Sequence, residues 1–229
     1  MSRIVTIILA IACLLAVWGA FRLDAPVREA VLASQGKSWK KSADFRFQSA
    51  VRRFGDWPPL MGACLAALIV ARLRNNRRWM RVIAAAMIAS TLAGIVANAS
   101  RLTTGRTRPK ESPKIEQGFY GLWHEGKLLV GQPAFNSFPS GHTATAFGLA
   151  AVILYASPAA GILAMAAAGL VAWSSIVMGA HHPSDVTVSV IISLIVAWFV
   201  WRWMRGPGGD WSEKLMYRFP KQKPREKHP

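Results

Sequence analysis

Acidic side chains are scarce in this 229-residue chain: 11 Asp and Glu stand against 28 Lys and Arg, a formal net charge of +17. Cysteine is scarcer still. Cys13 and Cys64 are the only two, and both fall inside apolar stretches. No disulfide framework or cysteine metal site fits that pattern, and two buried free thiols are the expectation. There is no internal repeat and no clear low-complexity tract, which sets aside repeat architectures.

Charge is also missing from long runs. Ile4 to Phe21 carries none over eighteen residues, Val82 to Ser100 none over nineteen, and Thr143 to Ala180 none over thirty-eight, with Ser157-Pro158 as a break near the middle. Val186 to Trp201 is a further uncharged run. A helix needs about 20 mostly apolar residues to cross a bilayer, with a range of about 17–25. Trp57 to Ala71 is shorter, begins with Pro58-Pro59, and is the weakest candidate. Six spans are expected, at 4–21, 57–71, 82–100, 143–157, 159–179 and 186–204. Trp18, Trp57, Trp79, Trp198, Trp201 and Trp203 lie near their ends, where indole rings favour the interface. The first run is longer than the apolar part of a cleaved leader and reads as a retained helix. The fold class is therefore all-α: a six-transmembrane-helix bundle in a single domain, 1–229, with its core in 1–205 and a flexible basic tail in 206–229.

The positive charge lies in the loops between apolar runs, so its expected partners are anionic lipid headgroups, not nucleic acid. Arg72 to Arg81 (RLRNNRRWMR) holds five Arg in ten residues and points to the cytoplasm. With six spans, the N-terminus and the tail share that side. Segments 22–56 and 101–142 and the turn at His181 share the other. Lys and Arg are otherwise balanced across the two sides, 14 against 14.

Three polar clusters fall on that second side: Arg101 to Pro109 (RLTTGRTRP), Pro139 to His142 (PSGH), and Ser174 to Asp185 (SSIVMGAHHPSD). Each alone has an ordinary explanation, as a helix-ending cation, a polar helix start or a tight turn. Together on one face they suit a single task. An arginine fork pairs with two phosphate oxygens. Arg101 and Arg108 are seven apart, about two turns, and would point the same way if the segment were helical. Ser140 and Gly141 open a helix, where unpaired N–H groups attract an anion and a glycine lets the backbone approach. His142 follows beside them. His181 and Asp185 are four apart, close enough on one turn for a carboxylate to hold an imidazole N–H and leave the other nitrogen free. One oriented His and one separate His supply a nucleophile and an acid.

These clusters resemble the signature of the type 2 phosphatidic acid phosphatase superfamily. That signature runs Lys, six residues, Arg-Pro; then Pro-Ser-Gly-His; then Ser-Arg, five residues, His, three residues, Asp. The order and spacing match from Arg101 to Asp185. The resemblance implies that His181 attacks phosphorus to form a phosphohistidine, and that Asp185 orients it. It implies that His142 protonates the leaving oxygen, and that Arg101, Arg108, Ser140 and Gly141 bind the phosphoryl oxygens. It also implies no metal and no cofactor.

There are two departures. Arg101 stands where the family has Lys. Ser175 stands where the family has Arg, which removes one phosphate ligand. Arg106, or a basic residue of 22–56, is expected to compensate.

The function expected from the resemblance is a lipid phosphatase of a bacterial inner membrane with its site facing the periplasm. Candidate substrates are undecaprenyl diphosphate, lipid A phosphate, phosphatidic acid and phosphatidylglycerophosphate. The alternatives are a lipid-to-lipid phosphotransferase using the same histidines, and a lipid-binding protein that has lost turnover. A transporter fits less well, because the spans hold almost no ionisable groups. The loop Glu111 to Gln132 mixes apolar and charged residues and is expected over the headgroup region.

Overall fold

The computed structural model describes residues 3–205. The expected tail, 206–229, lies outside the described residues. Seven α-helices follow one another: α1 Arg3–Ser34, α2 Ala43–Arg53, α3 Trp57–Leu73, α4 Arg77–Thr104, α5 Gly141–Ala156, α6 Pro158–Val177 and α7 Pro183–Arg205. A two-stranded hairpin, β1 Trp123–His124 and β2 Lys127–Leu128, interrupts the long connection between α4 and α5.

Each expected span overlaps one helix, but six independent spans are not what the lengths support. α1, α4, α6 and α7 are long and apolar enough to cross a membrane. α2 and α3 add a fifth if taken as one span bent by 58°. α5 is only 16 residues long. Its surroundings explain this. It packs between α4, α6 and α7, and its first twelve residues are buried almost without exception. A helix that is apolar all round belongs inside a bundle.

Small residues allow that packing. Ala85, Ala86 and Ala89 of α4 meet Ala151 and Val152 of α5 and Ala197 and Val200 of α7. Such residues let helix backbones approach closely where lipid supplies little driving force between helices. Hydroxyls tie the same helices together: Ser90 Oγ donates to the Thr145 carbonyl at 2.9 Å, and Ser193 Oγ to the Ala144 carbonyl at 2.9 Å. Outside the bundle the surface is oily. Ile4, Leu14 and Leu163 are 69%, 70% and 74% exposed, which suits contact with lipid and not water.

Segment 22–56, expected as a loop, is mostly helical. α1 continues past its apolar run to Ser34, and α2 then lies against α6, where Ser174 Oγ donates to the Gln48 carbonyl at 2.5 Å. Cys13 and Cys64 are free thiols as expected, Cys64 buried and Cys13 only half-buried.

Candidate active site

All three clusters meet at one end of the bundle, and a fourth group joins them from α2 and α3. Arg101 lies in the last turn of α4. That helix stops at Gly105, which adopts a left-handed φ of 56°. A side chain there would strike the backbone of Gly121, so only glycine fits. Beyond it the chain is extended at Arg108. The two arginines are therefore neighbours because the chain turns between them, and not because helical periodicity aligns them. Their charges are close enough to repel.

His181 is fully buried, at 1% exposure, between α6 and α7. Its Nδ1 lies 2.7 Å from the Ser137 carbonyl oxygen, which can only accept, so Nδ1 carries the proton. Nε2 then holds the lone pair, and this buried atom has no partner. Asp185 stands 3.6 Å from Nδ1, beyond hydrogen-bond reach, and acts on the ring through its charge. The sequence suggested that Asp185 holds the imidazole N–H; in the structure the Ser137 carbonyl takes that hydrogen bond, with Asp185 at 3.6 Å. Burial outweighs the carboxylate and pushes the His181 pKa down to about 4, so the ring is neutral at pH 7.

Asp185 is itself fixed from three directions. It accepts from Ser137 Oγ at 2.5 Å, from the His182 amide at 2.7 Å, and from Arg106 Nη1 at 2.5 Å. Arg106 is therefore not free for a phosphate. Its other arm, Nη2, pairs with Asp24 of α1 at 2.5 Å, and its guanidinium lies 4.6–5.6 Å from the rings of Phe21, Phe119 and Phe138. Asp24 also accepts from the amide and hydroxyl of Ser184. Arg106 belongs to a closed ion network behind the site.

Ser140 caps α5. Its Oγ accepts from the Thr143 amide at 3.4 Å and the Thr143 hydroxyl at 2.9 Å. Its own amide donates to the Asp185 carbonyl, so it is not free as the sequence suggested. No backbone hydrogen bond among the described residues uses the Gly141 and His142 amides, which remain as donors at the helix start. Gly141 packs directly against the Arg101 guanidinium, where any side chain would collide.

His142 is held from both sides by residues the motifs did not single out. Nε2 donates to Asp56 at 2.6 Å, and Nδ1 faces Arg52 Nη2 at 3.4 Å. The bend at Gly55 makes this possible. A Cβ there would come within 2.5 Å of Val171 and 3.0 Å of His142, and the Gly55 carbonyl accepts from Thr145 Oγ1 at 2.5 Å. Asp56 occupies the N-cap position of α3 yet makes no side-chain cap; its carboxylate serves His142 instead. From sequence alone Asp56 reads as a helix start before Pro58-Pro59, so its real partner was hidden.

Arg108 sits half-buried, with its pKa lowered by burial, and Nη2 donates to the Asn136 carbonyl at 3.3 Å. The Nε groups of Arg52, Arg101 and Arg108, and Nη2 of Arg101, are buried without partners. Buried donors of this kind are costly unless something accepts from them. The arrangement presents a neutral imidazole nitrogen, three cationic forks and the start of a helix, which together suit a phosphoryl group.

The chain is also similar to known proteins. The chain is 31% identical over 107 residues to a lipid A 1-phosphatase of Rhizobium johnstonii, across 47% of this chain and 40% of that protein. It is 30% identical over 107 residues to a lipid A 1-phosphatase of Rhizobium etli, across 47% of this chain and 42% of that protein. The match thus spans about two fifths of each curated relative. The crystal structure of Aquifex aeolicus LpxE has a similar fold, with a TM-score of 0.51 at 21% identity, covering 78% of this chain and 94% of that one. The PAP2 superfamily pattern matches residues 80–207, which contain all three clusters and more than half of the chain; the chain belongs to the PAP2 superfamily.

Proposed function

We propose that this chain is an integral membrane lipid phosphatase that hydrolyses a lipid phosphomonoester or diphosphate through a phosphohistidine. One observation carries the reading: the buried His181 ring has its proton fixed on Nδ1 and an unpartnered Nε2, close to the charges of Arg101 and Arg108. The Nε2 lone pair attacks phosphorus as the P–O bond to the lipid breaks. The leaving oxygen takes a proton from His142 in its cationic form, which the Asp56 carboxylate at 2.6 Å favours, and the ring is left neutral. The positive charge gained by the His181 ring is offset by Asp185 at 3.6 Å. Water then attacks phosphorus and gives its proton to His142, and the P–N bond breaks to restore His181. Arg101, Arg108 and the amides of Gly141 and His142 neutralise the phosphoryl oxygens, the kind of preorganised contact that dominates such catalysis. Ser140 contributes as the cap that sets the helix start.

The lipid tails lie in the bilayer. Phe119, Leu122, Trp123 and Leu128, on the connection that carries the hairpin, are exposed and supply an apolar rim to meet them. Lipid A phosphate is the first substrate to test, because both Rhizobium relatives are named for it; undecaprenyl diphosphate, phosphatidic acid and phosphatidylglycerophosphate follow. The site lies at the Arg101 end of α4 and the arginine-rich turn 72–81 at the other, about 40 Å away for a helix of this length. With that turn in the cytoplasm, the site faces the periplasm of a bacterial inner membrane.

The test is phosphate release by purified protein in detergent, with chelator and no added metal, across those lipids, beside His181→Ala. Release that disappears in the variant supports the reading. Release that survives in it rejects His181 as nucleophile.

A further inference from the structure

We infer that Arg52, on α2, is a phosphate ligand that takes over from the arginine missing at position 175. The inference rests on the phosphatase reading above and names one more ligand of that site. On α6, Ser175 is fully buried, and its hydroxyl donates back to the Val171 carbonyl at 2.9 Å, so it offers nothing to a substrate. α2 occupies the flank of that same turn. Gln48 receives the Ser174 hydroxyl, and Gly55 packs against Val171. The stretch from Gln48 to Gly55 therefore runs along α6 past the turn that carries Ser175. Arg52 follows Gln48 by four residues and shares its helix face.

The charge of Arg52 is placed where an anion would use it. Its Nη2 is 3.4 Å from His142 Nδ1, its charge bears on both Arg101 and Arg108, and its Nε is buried without a partner. Packing three guanidinium groups together opposes folding unless an anion binds between them. The neighbouring carboxylate, Asp56, is engaged by His142 at 2.6 Å. Arg106 is the contrasting case: it is equally close to the motifs, but two carboxylates consume it. A phosphate group has enough oxygens for Arg52, Arg101 and Arg108 together, each through its own fork.

The test measures binding apart from turnover. Orthovanadate, a phosphate mimic, is titrated onto purified full-length protein in detergent and its affinity read from the rise in unfolding temperature. Arg52→Ala is expected to weaken vanadate about a hundredfold, with the ligand-free unfolding temperature unchanged or raised, because a repelling charge is removed. The same loss is expected when Arg52→Ala is made in a His142→Ala background, since a ligand does not need that ring. Unchanged vanadate affinity in Arg52→Ala, while Arg101→Ala loses it, overturns the inference. Loss that vanishes in the His142→Ala background also overturns it, by assigning Arg52 to positioning His142. Vanadate binding that depends on Arg52 in a protein that releases no phosphate from any lipid keeps the ligand and rejects the phosphatase reading.

Discussion

The half of the site around His181 and the half around His142 are built in opposite ways. His181 lies in the interior, its Nδ1 on a backbone carbonyl, with a closed network of Asp185, Arg106, Asp24 and Ser184 behind it. Every charge in that network has a partner. His142 is half-buried where α2 and α3 meet the start of α5, and its neighbours Arg52 and Arg101, like Arg108 beside them, keep unpartnered N–H groups. The first half resembles a structural core that happens to hold a free nitrogen. The second tolerates repulsion, as functional sites do when a ligand relieves it. The same residue type is therefore held between carboxylates at Arg106 and keeps unpartnered donors at Arg52, Arg101 and Arg108, where a phosphoryl group is proposed to bind.

The largest expected effect is on the closed half. Arg106→Ala leaves Asp24 and Asp185 buried without their cation and should cost roughly 3–5 kcal/mol of stability. Thermal unfolding in detergent reads it directly, and an unchanged unfolding temperature would show that the two halves do not differ. On the open half, Arg101→Ala should lower kcat/KM by about 10²–10³, some 2.7–4 kcal/mol, while the unfolding temperature stays the same or rises. Steady-state kinetics on the responsive lipid decide this.

The pH profile sharpens the contrast further. As the proposed nucleophile, His181 must be neutral, and burial lowers its pKa to about 4, so protonation silences it only near that pH. Activity governed by His181 should persist as pH falls past 6.5, the ordinary histidine value, and drop near 4. At pH 5 an unburied histidine would already have cost roughly thirtyfold. A limb of kcat/KM at 6.5 that follows His181 would break the comparison. The smallest effect is expected from Asp56→Asn, which keeps shape but removes the charge that holds His142 Nε2. About a tenfold loss in kcat should follow, near the lower end for a hydrogen bond to a charged group. A change in KM alone would instead place Asp56 in substrate binding.

Much of this was legible before any coordinates. The charge-free runs located the helices because lipid-facing and core-facing positions both exclude charge, and the three motifs located His142, His181, Asp185, Arg101 and Arg108. Two things were not legible. The expected six spans are supported in part: four helices, or five with the bent pair, are long and apolar enough to cross, while α5 is 16 residues long and buried against three helices, and hydropathy does not distinguish burial in protein from burial in lipid. The fate of each arginine was also hidden. Arg106 and Arg108 are two residues apart in RTR, yet one is locked between carboxylates and the other keeps an unpartnered donor.

By itself, then, the order of residues determined a helical membrane-type chain and the chemical groups of its site, because hydropathy and motif spacing are local properties. Only the tertiary structure decided which groups face one another. Asp24 reaches across 82 positions to Arg106, and Arg52 across 90 to His142. Contacts over such separations depend on how helices pack, on the bend at Gly55 and on the turn at Gly105, and no local pattern encodes them.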